Sequence, residues 1–292
     1  MNLDHLRRLT LHVRRGMGDR PGDRRFPGRP QPAGIELEAH GDYVPGDDLR
    51  HLDWNALGRL DTLLVRRFTA EREVLVHLLL DASASMAVPA RDGKLAVARE
   101  LALALACVAL AANDAVRITV LSGDGGARVS PVLRARGSLG RAAELLAAVV
   151  PGGRLGLGAA LEAYTREHPR PGLAIVVSDL MTEPADVERG VQALRARRYE
   201  VLLLHVIGPG ELDPGRELTS GVLADVETRA THAVALTPAV RARYAELLAA
   251  HLGALEALAE RHAAVYARLA SDASVRDFLT LELPRRGILR RR

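Results

Sequence analysis

The sequence predicts an α/β fold: a mostly parallel sheet with helices on both faces, a small N-terminal lobe and a short β insertion. Residues 74–80 form a continuous apolar run bounded by charge, which is typical of a strand buried on both faces. Residues 94–112 are apolar over most of their surface and too long for a strand, which indicates a buried helix. From residue 74 onwards strand and helix patterns alternate, as in parallel sheets.

The elements follow one another with clear boundaries. Turn-forming residues 123–126 separate two apolar runs, 116–121 and 127–132, and so predict a hairpin. The other strands are predicted over 173–178, 201–207, 221–225, 232–236 and 264–269. The other helices are predicted over 138–150, 158–168, 184–198, from the cap pair Thr237-Pro238 to about 262, and 274–283.

Three regions divide the chain. Residues 1–72 form an N-terminal segment, in which residues 15–33 are rich in Gly, Pro and Arg and are expected to be a flexible linker. Residues 73–284 form the α/β domain, and residues 285–292 are expected to be a basic tail.

Composition narrows the function classes. Forty basic residues are interspersed with 36 acidic ones, and aromatics make up 3% of the chain, so nucleic acid is not the favoured partner. An Arg-rich surface that binds nucleic acid or an anionic membrane stays open as an alternative. The single Cys107 excludes an internal disulfide framework. No secretory signal or bilayer-spanning run is visible, so we expect a cytoplasmic protein without a transmembrane segment.

Polar side chains follow two of the predicted strands. Asp81, Ser83 and Ser85 come directly after the strand at 74–80, and Asp179 follows the strand at 173–178. Ligands of open α/β sheets bind at the carboxyl ends of the strands, and oxygen ligands of this kind suit Mg²⁺. The alternative fits the spacing equally well: the aspartates cap helices and the serines bond to loop backbone.

The Asp81-x-Ser83-x-Ser85 string resembles the metal-ion-dependent adhesion site of von Willebrand factor A-like domains. The run YVPGDDLRHLDW at 43–54 is similar to the signature of the bacterial family called domain of unknown function 58, and the resemblance covers about residues 30–284. It implies a von Willebrand A-like (Rossmann-like) sheet. It also implies that Ser83 and Ser85 bind Mg²⁺ or Mn²⁺ directly, Asp81 and Asp179 act through water, and the cation recruits an acidic group of a partner. A MoxR-type AAA+ ATPase is the partner that the resemblance implies.

One position departs from that pattern. The adhesion site carries a Thr in the loop before the helix predicted at 158–168, whereas this chain has Leu155 in the stretch GGRLGL. A leucine side chain offers no oxygen to a metal, and no Ser or Thr lies between Pro151 and Tyr164. Weak cation binding and a vestigial site without metal therefore both stay open.

A second polar cluster lies in the N-terminal segment. Asp47, Asp48, Arg50, Asp53 and Trp54 are interpreted as a structural network that pins the lobe, with Arg50 paired to Asp53 and the Trp54 indole packed and hydrogen-bonded. The alternative is a second ion or partner site.

The function predicted from these observations is a non-catalytic protein-binding module. No G-x-S-x-G elbow surrounds the serines, there is no P-loop, and no G-x-G-x-x-G opens a helix after a strand. A metal-dependent hydrolase or phosphatase that uses the Asp81 cluster is the enzyme alternative. Against it, this chain lacks the second Asp that such enzymes place two residues after the first.

Overall fold

A computed structural model describes residue 6 and residues 9–11, 35–44, 52–60, 62–70, 73–123, 126–214, 220–226 and 230–291. The chain packs as two compact units, one formed by Met1–Met17 with Val74–Arg292 and the other by Gly18–Glu73. The linker expected at 15–33 lies outside the described residues.

The strands are β1 (Leu9–Leu11), β2 (Ile35–Asp42), β3 (Leu64–Ala70), β4 (Leu75–Ala82), β5 (Ala115–Ser122), β6 (Ala127–Val129), β7 (Leu173–Ser178), β8 (Glu200–Ile207), β9 (Ser220–Ala224), β10 (Thr231–Ala235), β11 (Val265–Ala270) and β12 (Leu289–Arg291). The helices are α1 (Trp54–Leu60), α2 (Lys94–Ala111), α3 (Leu139–Ala147), α4 (Leu157–Glu167), α5 (Pro184–Ala196), α6 (Pro209–Leu212), α7 (Pro238–Arg261), α8 (Val275–Asp277) and α9 (Leu283–Arg285), with a π-helical turn, Phe278–Glu282, between the last two.

A six-stranded sheet forms the centre of the larger unit, in the order β11-β8-β7-β4-β5-β6. Every neighbouring pair is parallel except β5 and β6, which form the expected antiparallel hairpin. The sheet confirms the predicted mostly parallel architecture. Its strand order reverses between β4 and β7, which is where open α/β sheets place their ligands.

Strand β4 shows why the central strands are mostly apolar. Val76, Leu78 and Leu80 belong to the hydrophobic layer that holds α2, whereas Leu79 belongs to the opposite layer with α4, α5 and α7. Alternate side chains of a strand point to opposite faces, so a strand covered on both sides is apolar at most positions. His77 of β4 is buried as a polar residue, and its ring bonds to the Tyr164 hydroxyl at 2.6 Å.

The two chain ends differ from the prediction. Strand β1 pairs antiparallel with β12, so Leu9 is opposite Arg291 and Leu11 is opposite Leu289. The basic stretch 285–292 therefore ends in a strand of the larger unit, and residues 9–11 belong to that unit and not to an N-terminal lobe. Burial explains this, because Leu9, Leu11 and Leu289 enter the hydrophobic layer of α2.

The smaller unit contains an antiparallel pair, β2 and β3, whose register shifts between Leu37 and Ala39. Helix α1 lies between these two strands in the sequence. Sequence reasoning did not identify this pair. The short β insertion of the larger unit is confirmed as the hairpin of β9 and β10. The cap predicted for α7 is confirmed as well, because the Thr237 side chain accepts a hydrogen bond from the Val240 amide at 3.3 Å.

Within the described part of the chain, none of the helices combines the length and the apolar character that crossing a bilayer requires.

The segment that contains Gly152 and Gly153 lies between the carboxyl ends of β4 and β5. The Gly152 amide donates to the Ala82 carbonyl at 2.9 Å, the Ala84 amide donates to the Gly153 carbonyl at 3.0 Å, and the Gly123 amide donates to the Gly152 carbonyl at 3.0 Å. The segment leads directly into Leu155 and helix α4. These bonds place the loop before α4 beside the ends of the central strands.

We expect Gly123→Ala to lower the free energy of unfolding by about 1–3 kcal/mol, because overpacked positions force the backbone to shift. A Cβ at Gly123 would lie 2.1 Å from the Gly153 carbonyl carbon. The control is Gly140→Ala on α3, where the same added methyl meets nothing within 4 Å. Urea unfolding of the three proteins measures the difference, and equal stability of both variants would contradict the close approach.

Candidate functional site

A cavity of about 380 Å³ opens at the carboxyl ends of β4 and β7, where the strand order reverses. Its walls carry the five residues that the sequence singled out, Asp81, Ser83, Ser85, Leu155 and Asp179, together with Ser178, which it did not. The structure therefore brings the four predicted oxygen-bearing residues and Leu155 together at one edge of the sheet.

Asp81 is the buried carboxylate at the floor of the cavity. One of its oxygens accepts a hydrogen bond from the Ser83 amide at 2.8 Å, and the other accepts one from the Ser178 hydroxyl at 2.6 Å. Parallel pairing of β4 with β7 places Ser178 beside Asp81. Both carboxylate oxygens thus have donors from within the protein.

The two serines lie where β4 ends and a 3-10 turn, Ala84–Ala87, begins. Ser83 has an extended backbone, and its hydroxyl lies 2.9 Å from the Ser85 hydroxyl, so the two side chains point to one place. Met86 is buried within the same turn and holds it against the core.

Asp179 is held by a lysine that sequence reasoning missed. The ammonium of Lys94, at the first position of α2, donates to Asp179 Oδ2 at 2.9 Å and also to Glu211 Oε1 of α6. The Lys94 side chain is 1% exposed. The three side chains form a buried ion cluster that joins α2, the end of β7 and α6.

Burial and charge shift the proton affinities of these groups. Burial, and then the neighbouring Asp179 carboxylate, raise the pKa of Asp81 to about 6, although hydrogen bonds from Ser178 and Ser83 oppose the shift. Burial alone would lower the pKa of Lys94, but the two carboxylates outweigh it and raise the pKa. Burial raises the pKa of Glu211, and Lys94 opposes that change. Lys94 is therefore a stable cation, whereas Asp81 is a costly anion.

Two features of these side chains oppose binding of the divalent cation that the family resemblance implies. Leu155 places a hydrocarbon wall where the adhesion site has a hydroxyl. Asp179 already bonds to an ammonium, and a positive charge at that carboxylate repels a second one.

The second predicted cluster is only partly visible. Asp47, Asp48 and Arg50 lie outside the described residues. Asp53 is buried, and its Oδ1 accepts hydrogen bonds from the amides of Asn55 and Ala56 at 3.0 and 3.2 Å, so it caps α1. The expected packing of the Trp54 ring is wrong, because that side chain is 66% exposed. None of the residues of α1 is buried, so this helix does not pack the ring into a core. The pairing of Arg50 with Asp53 stays a prediction.

The sheet order and the polar edge at its switch point define a von Willebrand A-like module, as expected from the sequence. The chain belongs to the family described as "Protein of unknown function DUF58", which matches residues 40–254. It is 31% identical over 225 residues to the uncharacterized protein Rv1480 of Mycobacterium tuberculosis (strain H37Rv), with 72% of this chain covered. The uncharacterized protein Mb1516 of Mycobacterium bovis gives the same values. The match spans 66% of the length of these relatives.

Solved structures with a similar fold are distant in sequence. The conserved hypothetical protein BatB from Bacteroides thetaiotaomicron is 19% identical, with a TM-score of 0.46 over 73% of this chain and 98% of that one. An aerotolerance-related membrane protein from Bacteroides fragilis is 17% identical, with a TM-score of 0.45 over 70% and 95% of the two chains. The SpRpn10 VWA domain is 11% identical, with a TM-score of 0.38 over 73% and 96%.

The raised pKa of Asp81 makes a prediction about Asp81→Asn. A carboxyl whose folded pKa lies near 6 and whose unfolded pKa lies near 3.8 destabilises the folded state once it ionises. That cost is absent below about pH 4, grows as pH rises, and is complete above pH 6, where it reaches up to about 3 kcal/mol. Asn can keep the acceptor for the Ser83 amide without the charge. We therefore expect the variant to be the more stable protein at pH 8, as measured by urea unfolding.

The comparison is repeated at pH 4, where both proteins carry a neutral group at position 81. There the stability difference should shrink towards zero, because the remaining carboxyl groups titrate equally in both proteins. A wild type that is more stable than Asp81→Asn at pH 8 would contradict a raised pKa at Asp81.

Proposed function

We propose that this protein is a non-catalytic protein-binding module whose partner contacts the cavity at the switch point of the sheet. The observation that carries the proposal is the convergence of Asp81, Ser83 and Ser85 in one open cavity of a rigid parallel sheet. Convergent polar groups in a concave site on a rigid scaffold favour specific binding.

The hydrogen bonds of the cavity support the non-catalytic assignment. A serine nucleophile needs a base within hydrogen-bond reach. Here the Ser83 and Ser85 hydroxyls bond to each other, and the Nε2–H of His251, which also lines the cavity, donates to the Leu180 carbonyl at 2.9 Å. The Asp81 carboxylate already accepts hydrogen bonds from the Ser83 amide and the Ser178 hydroxyl.

The partner we propose to test first is a MoxR-type AAA+ ATPase, which the family resemblance implies. The rim offers a mixed surface for such a contact: Met181 is an exposed apolar side chain, and Thr182 and Glu183 follow it along the same wall. The proposed contact does not require Mg²⁺ or Mn²⁺, because the Lys94 ammonium already pairs with Asp179. The expected cation stays a prediction that metal titration tests.

If the cavity is the partner site, Asp81→Ala should weaken binding to a MoxR-type ATPase from the same genome by at least about tenfold. The fold should persist, because the substitution removes a buried charge without leaving a paired cation behind. Calorimetry with the purified ATPase, with and without nucleotide, measures the affinity, and circular dichroism checks the fold.

Glu144→Ala is the matched control, since Glu144 is an exposed acidic residue on α3 and its loss changes the net charge equally. It should bind like the wild type. Equal binding by Asp81→Ala would refute the cavity as the partner site. Capture of nucleic acid or anionic vesicles that is lost at high salt and does not respond to Asp81→Ala would favour the Arg-rich surface instead.

A further inference from the structure

Lys94 is the unusual residue of the carboxyl edge. Lysine is almost never fully buried unless it is paired, and here the side chain is 1% exposed with two carboxylates on its ammonium. It opens α2, a helix whose following residues are mostly apolar and buried. The helix therefore carries one fixed positive charge to the end of β7.

The ammonium reaches Asp179 from behind the cavity. Asp179 lines the cavity, whereas the Lys94 side chain is closed off from solvent and bonds to Asp179 Oδ2. The other oxygen, Oδ1, lies 3.4 Å from the Met181 amide. A divalent ion held in the cavity through Asp179 would share that carboxylate with a permanent positive charge, and the repulsion would be strong away from water.

The same ammonium links segments that are distant in sequence. Glu211, its second partner, also accepts from the Gly208 amide at 2.8 Å, and the backbone carbonyl of Glu211 accepts from the Tyr244 hydroxyl at 2.6 Å. Through these bonds Lys94 ties the start of α2 to β7, α6 and α7. Joining negatively charged loops at a sheet edge is a role that a metal ion otherwise fills.

We propose that the Lys94 ammonium is the resident cation of this site and takes the place of a divalent ion, so that the wild-type protein holds its carboxyl edge together without metal. This cation is covalently attached and cannot be removed by chelation. The inference goes beyond the proposed function and does not depend on it, because its readout is metal binding and not partner capture.

Two features of the chain could each oppose metal binding: the missing hydroxyl at Leu155 and the ammonium of Lys94. They are separated by Mn²⁺ titration calorimetry on four proteins: the wild type, Leu155→Thr, and Leu155→Thr combined with either Glu211→Gln or Lys94→Met/Glu211→Gln. The last variant removes the ammonium together with one of its two carboxylates, so net charge is unchanged and Asp179 is freed. The Glu211→Gln combination is its matched control, because Lys94 still pairs with Asp179.

We expect no saturable Mn²⁺ binding to the first three proteins and saturable binding to the variant that lacks Lys94. The affinity of that variant should be at least about tenfold above the detection limit that the other three proteins set. Adding Asp179→Asn to that variant should abolish the binding. Saturable binding to the wild type or to Leu155→Thr would overturn the proposal, because Lys94 is intact in both. Failure of the folded Lys94 variant to bind would overturn it as well.

Thermal unfolding of the wild type gives an answer even if the Lys94 variant does not fold. A ligand that binds the native state raises its melting temperature. We expect the same melting temperature in chelator and in about 10 mM Mg²⁺ or Mn²⁺, after correction with Asp179→Asn for ionic strength. A metal-dependent rise that Asp179→Asn abolishes would show that a divalent ion, and not Lys94, is the cation of the site.

Discussion

The buried contact between the Lys94 ammonium and the carboxylates of Asp179 and Glu211 organises the carboxyl edge of this protein. Withdrawing charges from water is costly, and the cost is offset only when the charges pair with good geometry. Removing one partner of such a pair costs about 3–5 kcal/mol, because the other charge is left buried and alone. The start of α2, the end of β7 and α6 are thus held in one arrangement, and with them one wall of the cavity.

The topology of the sheet supplies the other wall. Strand order reverses between β4 and β7, so Asp81, near the end of β4, and Asp179, directly after β7, meet at the same edge. The two aspartates have different surroundings there. Asp179 pairs with an ammonium, whereas the identified donors to Asp81 are uncharged groups of Ser83 and Ser178. Asp179 is consequently part of the scaffold, whereas Asp81 is a buried carboxylate of the cavity whose ionisation is costly.

Much of the fold could be predicted because burial imposes a local pattern. The strand at 173–178 was predicted to the residue, and the helix at 94–112 ended one residue earlier, at Ala111. The pairing of β1 with β12 could not be predicted, because a three-residue strand carries no periodicity and its partner lies 280 positions away. The prediction that the Trp54 ring packs was wrong for a related reason. A large aromatic residue indicates burial on average, yet this one begins a short helix and is exposed.

The sequence by itself determined the alternation of strands and helices, and it placed Asp81, Ser83, Ser85 and Asp179 at the ends of strands. Both follow from the periodicities of 2 and 3.6 residues and from the rule that parallel strands end at one edge. Only the tertiary structure decided what those residues contact. Lys94 stands 85 positions from Asp179 and 117 from Glu211, so no local pattern marks it as their partner. Electrostatic pairing depends on distance in space and on exclusion of water, and both arise when the chain has folded.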